Sequence, residues 1–300
     1  MKRLFLFFGV NILVVAGVSI LINVLGIGRV LAGAGLQYTP LLVMCFIWGM
    51  AGSLISLMLS KMMAKWMMGV QLVTDLGPHK KLVNTVHRLA RRAGLTEMPE
   101  VGIYQDDVLN AFATGPSRNN SLVAVSSGLM NSMSDEEIEG VLGHEVAHIA
   151  NGDMVTMALV QGVVNAFVLF FSRIVAFFIT QAMRNNDDRN DRPNPFVQML
   201  LVFVLDILFG ILATPIVAWF SRYREYRADR GGADLAGKEK MIAALHALSR
   251  AHPALEAKTV EADPNFRSMQ ISSKEGFMKL MSTHPPIAER IAVLEKGIIR

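Results

Sequence analysis

Cysteine is almost missing from this 300-residue chain: Cys45 is the only one. That excludes a disulfide framework and any metal site built on thiolates. Charge is scarce too, at 18% of residues beside 52% hydrophobic ones, whereas a soluble domain carries about a quarter charged residues. The chain has no internal repeat and no glycine-rich phosphate loop. The net charge of +4 is small, and the basic residues flank apolar runs rather than forming a patch, which gives no reason to expect nucleic-acid binding.

What is present is four apolar blocks. Leu4 to Leu25 runs 22 residues without a charge, enough to cross a bilayer core as a helix. Lys2 and Arg3 precede it and small residues follow at Ala32 to Gly35, so a cleaved signal peptide is the rival. The run exceeds a signal core of about 7–15 residues, which favours a retained anchor. Leu41 to Ser60 is a second span, opened by Pro40 and followed by Lys61, Lys65 and Trp66 at the expected interface level. The third block, Met154 to Thr180, contains Gln161, Asn165 and Arg173, and the fourth, Pro195 to Phe220, contains Asp206. The polar turn between these two makes them an antiparallel hairpin. Arg173 and Asp206 lie at similar distances from its centre, so they are expected to face each other or a shared polar cavity. The alternative is that Arg173 snorkels towards the surface.

Seven Lys/Arg between Lys61 and Arg92 face a single acid, Asp75. Arg222, Arg224, Arg227 and Arg230 follow the last block. Arg184, Arg189 and Arg192 in the hairpin turn count the other way, but the total places both termini and both soluble segments in the cytoplasm. Chain organisation then reads as two N-terminal spans (1–60), a soluble part (61–153), a membrane hairpin (154–220) and a second soluble part (221–300).

In the first soluble part, "HKKLVNTVHRLARRAGL" repeats apolar residues at helical spacing and stops at Gly94. "EVGIY" and "SLVAVSS" read as strands. "DDVLNAFATG" reads as a further strand ended by Gly115-Pro116. Ser134 and Glu137 match the capping-box pattern, which starts a helix at about Asp135 and runs it to Ala150, near Asn151-Gly152. The second soluble part is helical in pattern.

The motif "HEVAH" lies on that capped helix. Residues four apart share a helix face, so His144 and His148 can offer imidazoles to one ion, as in H-E-x-x-H zinc peptidases. Glu145 sits beside them, able to take a proton from metal-bound water. A carboxylate is the expected third ligand, and Glu225 in "EYRAD" is the best candidate, with Asp229 four residues on to orient a ligand histidine. The rival for Glu225 is a surface pair with Arg222 or Arg224. His284 in "STHPPIAER" can donate to a developing oxyanion, and Arg290 can do the same or hold a substrate carbonyl. Taken alone, His284 reads as a surface or helix-capping residue. His79, His87, His246 and His252 are given no role.

Taken together, "HEVAH", "EYRAD", "NAFATG" and "STHPPIAER" resemble the HtpX family of bacterial membrane zinc endopeptidases, relatives of the CAAX prenyl endopeptidases. The resemblance covers nearly the whole chain. It implies an α-helical membrane protein with four transmembrane helices and a cytoplasmic α+β protease domain of zincin-like (gluzincin) type, split by the membrane hairpin. It further implies one zinc held by His144, His148 and Glu225, Glu145 as general base, Asp229 behind the ligands, and His284 with Arg290 at the transition state. Asn110, Ala111, Phe112 and Ala113 would bind an extended substrate by strand addition. The implied substrates are misfolded or damaged membrane proteins, cut at the cytoplasmic face of a bacterial inner membrane under stress, and the likeness allows self-cleavage. Oligomeric state is left open.

Three rivals differ. An intramembrane protease would carry its motif on an apolar helix, whereas this helix opens "SDEEIE". A prenyl-peptide endopeptidase would need more spans to enclose a lipid tail. A non-catalytic scaffold or transporter with a coincidental motif would have no need of Glu145.

Overall fold

The computed structural model of the chain describes residues 36–183, 195–251 and 282–297, with the single positions 20, 24 and 33. The expected first span, Leu4 to Leu25, lies outside the described residues apart from Ile20 and Val24, and with it the anchor-or-signal question. Most of the hairpin turn also lies outside them. The elements are α1 (Tyr38–Met67), β1 (Gln71–Val73), α2 (Lys80–Arg92), β2 (Glu100–Tyr104), β3 (Ala111–Ser117), β4 (Asn120–Ser126), α3 (Ser127–Ser132), α4 (Asp135–Asn151), α5 (Asp153–Ala182), α6 (Pro195–Ala236), α7 (Lys238–Ala251) and α8 (Ile287–Lys296). They divide into two compact units: residues 1–55 with 158–217, and residues 56–157 with 218–300.

Among the described residues, three helices are long and apolar enough to cross a membrane: α1, α5 and α6. In the first unit, α1 and α5 approach closely because both carry small residues at the contact. A methyl group on Gly49 would come within 2.5 Å of the Ala166 backbone nitrogen, and Ser53 donates to the Ala158 carbonyl. Small residues of this kind let membrane helices pack by backbone approach where lipid removes any hydrophobic drive. Leu42, Cys45 and Phe170 fill the space beside that contact. Arg173 Nη1 comes to 3.7 Å of Asp206 Oδ1 across α5 and α6, as the matched depths anticipated. Large apolar residues of α6 such as Phe196, Phe203, Ile207, Leu212 and Ile216 are exposed, which suits a lipid-facing surface. The helix does not stop at Phe220: it runs unbroken past Pro215 to Ala236, so the last span and the "EYRAD" segment are one element.

The second unit is built on a four-stranded mixed sheet of order β1-β2-β4-β3, with β2 and β4 parallel and the other pairs antiparallel. β4 shows no polar alternation because both its faces are covered. Val123 and Val125 meet α2 and α4 in the main core, with Leu82, Val86, Leu89, Leu142, Val146 and Ile149. Leu122 and Ala124 face Val70 and Tyr104 on the other side. Burying each such aliphatic side chain contributes about 1.5–3 kcal/mol, so Val146→Asp would break this layer. α2 spans the periodic segment and ends before Gly94, whose φ of +72 suits glycine. β3 continues through Gly115-Pro116 to Ser117, further than the sequence suggested, by way of a register irregularity. Gly115 makes this passage possible: at φ +145, a side chain there would strike the Asn120 carbonyl. Lys61 and Lys65, expected to flank lipid, both pair with Glu100 at 3.0 and 2.6 Å.

Candidate active site

The site grows from α4. Ser134 Oγ accepts from the Glu137 backbone N–H and Glu137 answers at the Ser134 N–H, closing the capping box. Asp135, Glu136 and Glu137 place negative charge at the positive end of the helix dipole. Thirteen positions on from the start of the helix comes His148, one turn after His144, and both are buried. Glu145 is the one residue between Gly140 and Ile149 that is not buried. Gly152, at φ 68, ends the helix in the left-handed conformation, which favours glycine.

α6 brings the third group. Its Gly231-Gly232 pair sits against α4: a methyl group on Gly232 would meet the His144 nitrogen at 2.9 Å, and one on Gly231 would meet Ala147 Cβ at 2.7 Å. This backbone approach carries Glu225 to the two histidines. Glu225 is only 1% exposed, which rules out the surface-pair alternative, although Arg224 Nη2 lies 3.7 Å from its Oε1.

His144 Nε2 and His148 Nε2 are 3.1 Å apart. Glu225 Oε2 is 3.4 Å from the first and Oε1 is 3.3 Å from the second. Behind the rings, His148 Nδ1 is 2.7 Å from Asp153 Oδ2, and His144 Nδ1 is 2.9 Å from Asp229 Oδ1. A carboxylate only accepts, so each Nδ1 carries the proton and each Nε2 turns a lone pair inward. Two lone pairs and a carboxylate converging on one point call for a cation. Bonds of about 2.0–2.1 Å arranged tetrahedrally place neighbouring donors about 3.3–3.4 Å apart, close to the three separations observed. Glu225 Oε2 is also buried and makes no well-aligned hydrogen bond among the described residues, although His284 Nδ1 lies 3.0 Å from it. The three residues are grouped closely enough to hold one metal ion, their ligand atoms all lying within 4.8 Å of one another.

Electrostatics follow the same geometry. Burial opposes a charge on His144, but the Asp229 and Glu225 carboxylates outweigh it and raise its pKa to about 9 in the metal-free chain. His148 is raised likewise, against burial, by Asp153 and Glu225. Burial alone would lift Glu225, yet the His144, His148 and His284 imidazoles hold its carboxyl far below the usual range. Asp229 is lowered against burial by Arg290 and His144.

The structure brings the other expected residues to differing places. Arg290 is buried and donates from Nε and Nη2 to the two Asp229 oxygens, at 2.7 and 2.5 Å. Its Nη1 stays 3.9 Å from Glu225 Oε2. His284 has a side chain 66% exposed, yet its Nδ1 is 3.0 Å from Glu225 Oε2, so the surface reading and the site reading both describe it in part. Ala111, Phe112 and Ala113 pair with Val125, Ala124 and Val123 on one side only, at the edge of the sheet and against α4. Asn110 just precedes that strand, and its backbone bonds to Ser126. Phe112 packs on Tyr104, ring centres 5.6 Å apart. Sequence reasoning overlooked Asp153, Arg227 and the glycine pair. Asp153 was readable as an acid placed just past the end of the motif helix. Nothing local marks Arg227 as its partner.

Residues 78–298 match the model of peptidase family M48. The chain belongs to that family. It is 49% identical to Protease HtpX of Shewanella halifaxensis over 296 residues, covering 98% of this chain and 99% of that one. It is similarly 49% identical to Protease HtpX of Shewanella sp. strain ANA-3 over 297 residues. The crystal structure of S. mikatae Ste24p superposes with a TM-score of 0.55 at 21% identity, over 98% of this chain and 66% of that one, a likeness of fold. M48 membership, the HtpX relatives, the span-length helices and the His-His-Glu group together make this chain a membrane metalloprotease. The scaffold or transporter alternative is thereby set aside.

Proposed function

We propose that the chain is a zinc endopeptidase that cuts misfolded or damaged membrane proteins from the cytoplasmic side of a bacterial inner membrane. The observation that carries the metal assignment is the 3.1–3.4 Å spacing of three inward-facing donors, the two imidazoles among them backed at Nδ1 by carboxylates. His144, His148 and Glu225 hold the ion in this reading, and a nitrogen-and-oxygen donor set of this kind suits zinc. When bound, zinc supplies Lewis acidity that brings the pKa of a water near 7.

The remaining chemistry belongs to side chains. Glu145, partly exposed where its neighbours are buried, accepts a proton from the attacking water and returns it to the leaving nitrogen. His284 is exposed enough to donate to the developing oxyanion. Arg290 acts through Asp229, whose carboxylate it fixes against His144. The free edge of β3, with Asn110, Ala111, Phe112 and Ala113, takes an extended substrate as an added strand.

The same reading has four spans, the first within Leu4 to Leu25, and a gluzincin-type domain in two parts (61–153 and 221–300) around a membrane hairpin (154–220). Both termini lie in the cytoplasm with the active site. Basic residues next to the spans support that orientation. Clients are loops, tails and unfolded segments, and the chain's own exposed segments are among them.

The test is zinc content per chain with proteolysis of a loosely folded protein, in detergent-purified parent, Glu225→Ala and Glu145→Gln. The expected pattern is about one zinc in the parent and in Glu145→Gln, a large loss in Glu225→Ala, and cleavage by the parent alone. Equal zinc in the parent and Glu225→Ala would move the third ligand elsewhere.

A further inference from the structure

Asp153 is fully buried, at 0% exposure, and beyond its hydrogen bond to His148 it has been given no role. It is the first residue of α5, immediately after the glycine that ends α4. Its two oxygens are divided between two helices. Oδ2 accepts from His148 Nδ1 at 2.7 Å, and Oδ1 accepts from Arg227 Nη2 on α6, 74 positions along the chain.

We propose that Asp153, held by Arg227, is a positioning residue for the ligand His148, so that metal affinity depends on the two ends of the apolar insertion being joined. The proposal rests on the reading that His144, His148 and Glu225 hold zinc.

The geometry parallels the other half of the site. His144 is backed by Asp229 and Asp229 by Arg290; His148 is backed by Asp153 and Asp153 by Arg227. Each carboxylate fixes a ring orientation and leaves Nε2 free to ligate, and such partners set ligand affinity as well as ligand direction. The two relays are not equal. Arg290 is buried and bidentate, whereas Arg227 has a side chain 45% exposed and makes one contact to Asp153.

Position along the chain gives the second relay its meaning. Asp153 stands where the chain enters the insertion, and Arg227 stands seven residues after the Phe220 limit expected for the last span. The pair therefore closes the insertion at its base and, through the same carboxylate, aims a metal ligand. A purely structural alternative exists, because an acid at the start of α5 also favours the helix dipole. In that case its loss would lower stability and leave metal binding alone.

The experiment uses the full chain in detergent, as parent, Asp153→Asn, Arg227→Gln and Arg227→Lys. Three quantities are read: the zinc dissociation constant by chelator competition, the visible spectrum of the cobalt-substituted protein, and the melting temperature of the metal-free protein. Asp153→Asn is expected to weaken zinc binding about 10–100-fold and to shift the cobalt bands. Arg227→Gln should weaken binding by a smaller factor, and Arg227→Lys should recover most of it. Unchanged zinc affinity in Asp153→Asn, whether or not melting falls, overturns the proposal in favour of the helix-dipole role. Should Asp153→Asn fail to fold, Arg227→Gln decides, and unchanged affinity there overturns it equally. A folded parent that binds no zinc would remove the three-ligand reading, and this proposal with it.

Discussion

Two arginine–carboxylate pairs, Arg173–Asp206 in the first compact unit and Arg290–Asp229 in the second, are built differently. In the first unit, Arg173 approaches Asp206 only to 3.7 Å, both side chains are half-buried, and the arginine's hydrogen bond goes to the Leu169 carbonyl at 2.8 Å. In the second, Arg290 grips Asp229 through two hydrogen bonds in a buried setting. A loose pair cancels charge inside an apolar segment, where an isolated charge is costly. A bidentate pair also fixes direction, and direction is what an imidazole behind a metal needs. Similar residues thus serve solvation in one unit and orientation in the other.

The contrast can be broken from its strong side first. Asp229→Leu leaves Arg290 buried without its partner and should destabilise the second unit by about 3–5 kcal/mol, with zinc affinity lost as His144 turns free; denaturant melts and metal titration check both. Asp206→Leu should cost less, about 2.5–3.5 kcal/mol at most, because Arg173 can still reach water or its own backbone. The double change Arg173→Leu with Asp206→Leu should then melt higher than Asp206→Leu alone. Equal melting of single and double variants would show the 3.7 Å approach to be incidental.

Gly232→Ala tests how far the second unit depends on backbone approach. The added methyl meets the His144 backbone at 2.9 Å, so overpacking of about 1–3 kcal/mol should accompany weaker metal binding. A melting loss without a change in affinity would mean that Glu225 follows the shift. Protons sharpen the comparison more gently. The pKa of His144 is raised from 6.5 to about 9 in the metal-free chain. Its contribution to stability is therefore fully present below pH 6.5 and lost as pH rises through about 9. Chelator-treated protein should melt lower at pH 9 than at pH 7, and Asp229→Asn should shrink that difference. Smallest of all is Lys81→Ala, which opens an exposed pair with Asp135 and should change stability by less than about 1 kcal/mol.

Local chemistry made much of this readable in advance. The capping box at Ser134, the strands "EVGIY" and "SLVAVSS", and the matched depth of Arg173 and Asp206 each depend on neighbours in sequence or on simple periodicity, and each appears as expected. Readings that depended on where an element stops fared less well. β3 passes through Gly115-Pro116 because β4 offers it a partner beyond the irregularity, and α6 passes Phe220 because no glycine or proline there ends it. Asp153 went unnoticed since its two partners lie on different helices, one of them 74 positions away.

Spacing along a single helix was enough to place His144 and His148 on one face and Glu145 beside them, because 3.6 residues per turn is a property of the backbone itself. The same periodicity put Asp229 one turn beyond Glu225. No local rule sets the distance between those two helices. That was decided by Gly231 and Gly232 packing against α4, and by two arginines, Arg290 buried and Arg227 part-exposed, that hold the Asp229 and Asp153 carboxylates behind their histidines. Ligand direction is a matter of tenths of an ångström between segments far apart in the chain, and only packing resolves it.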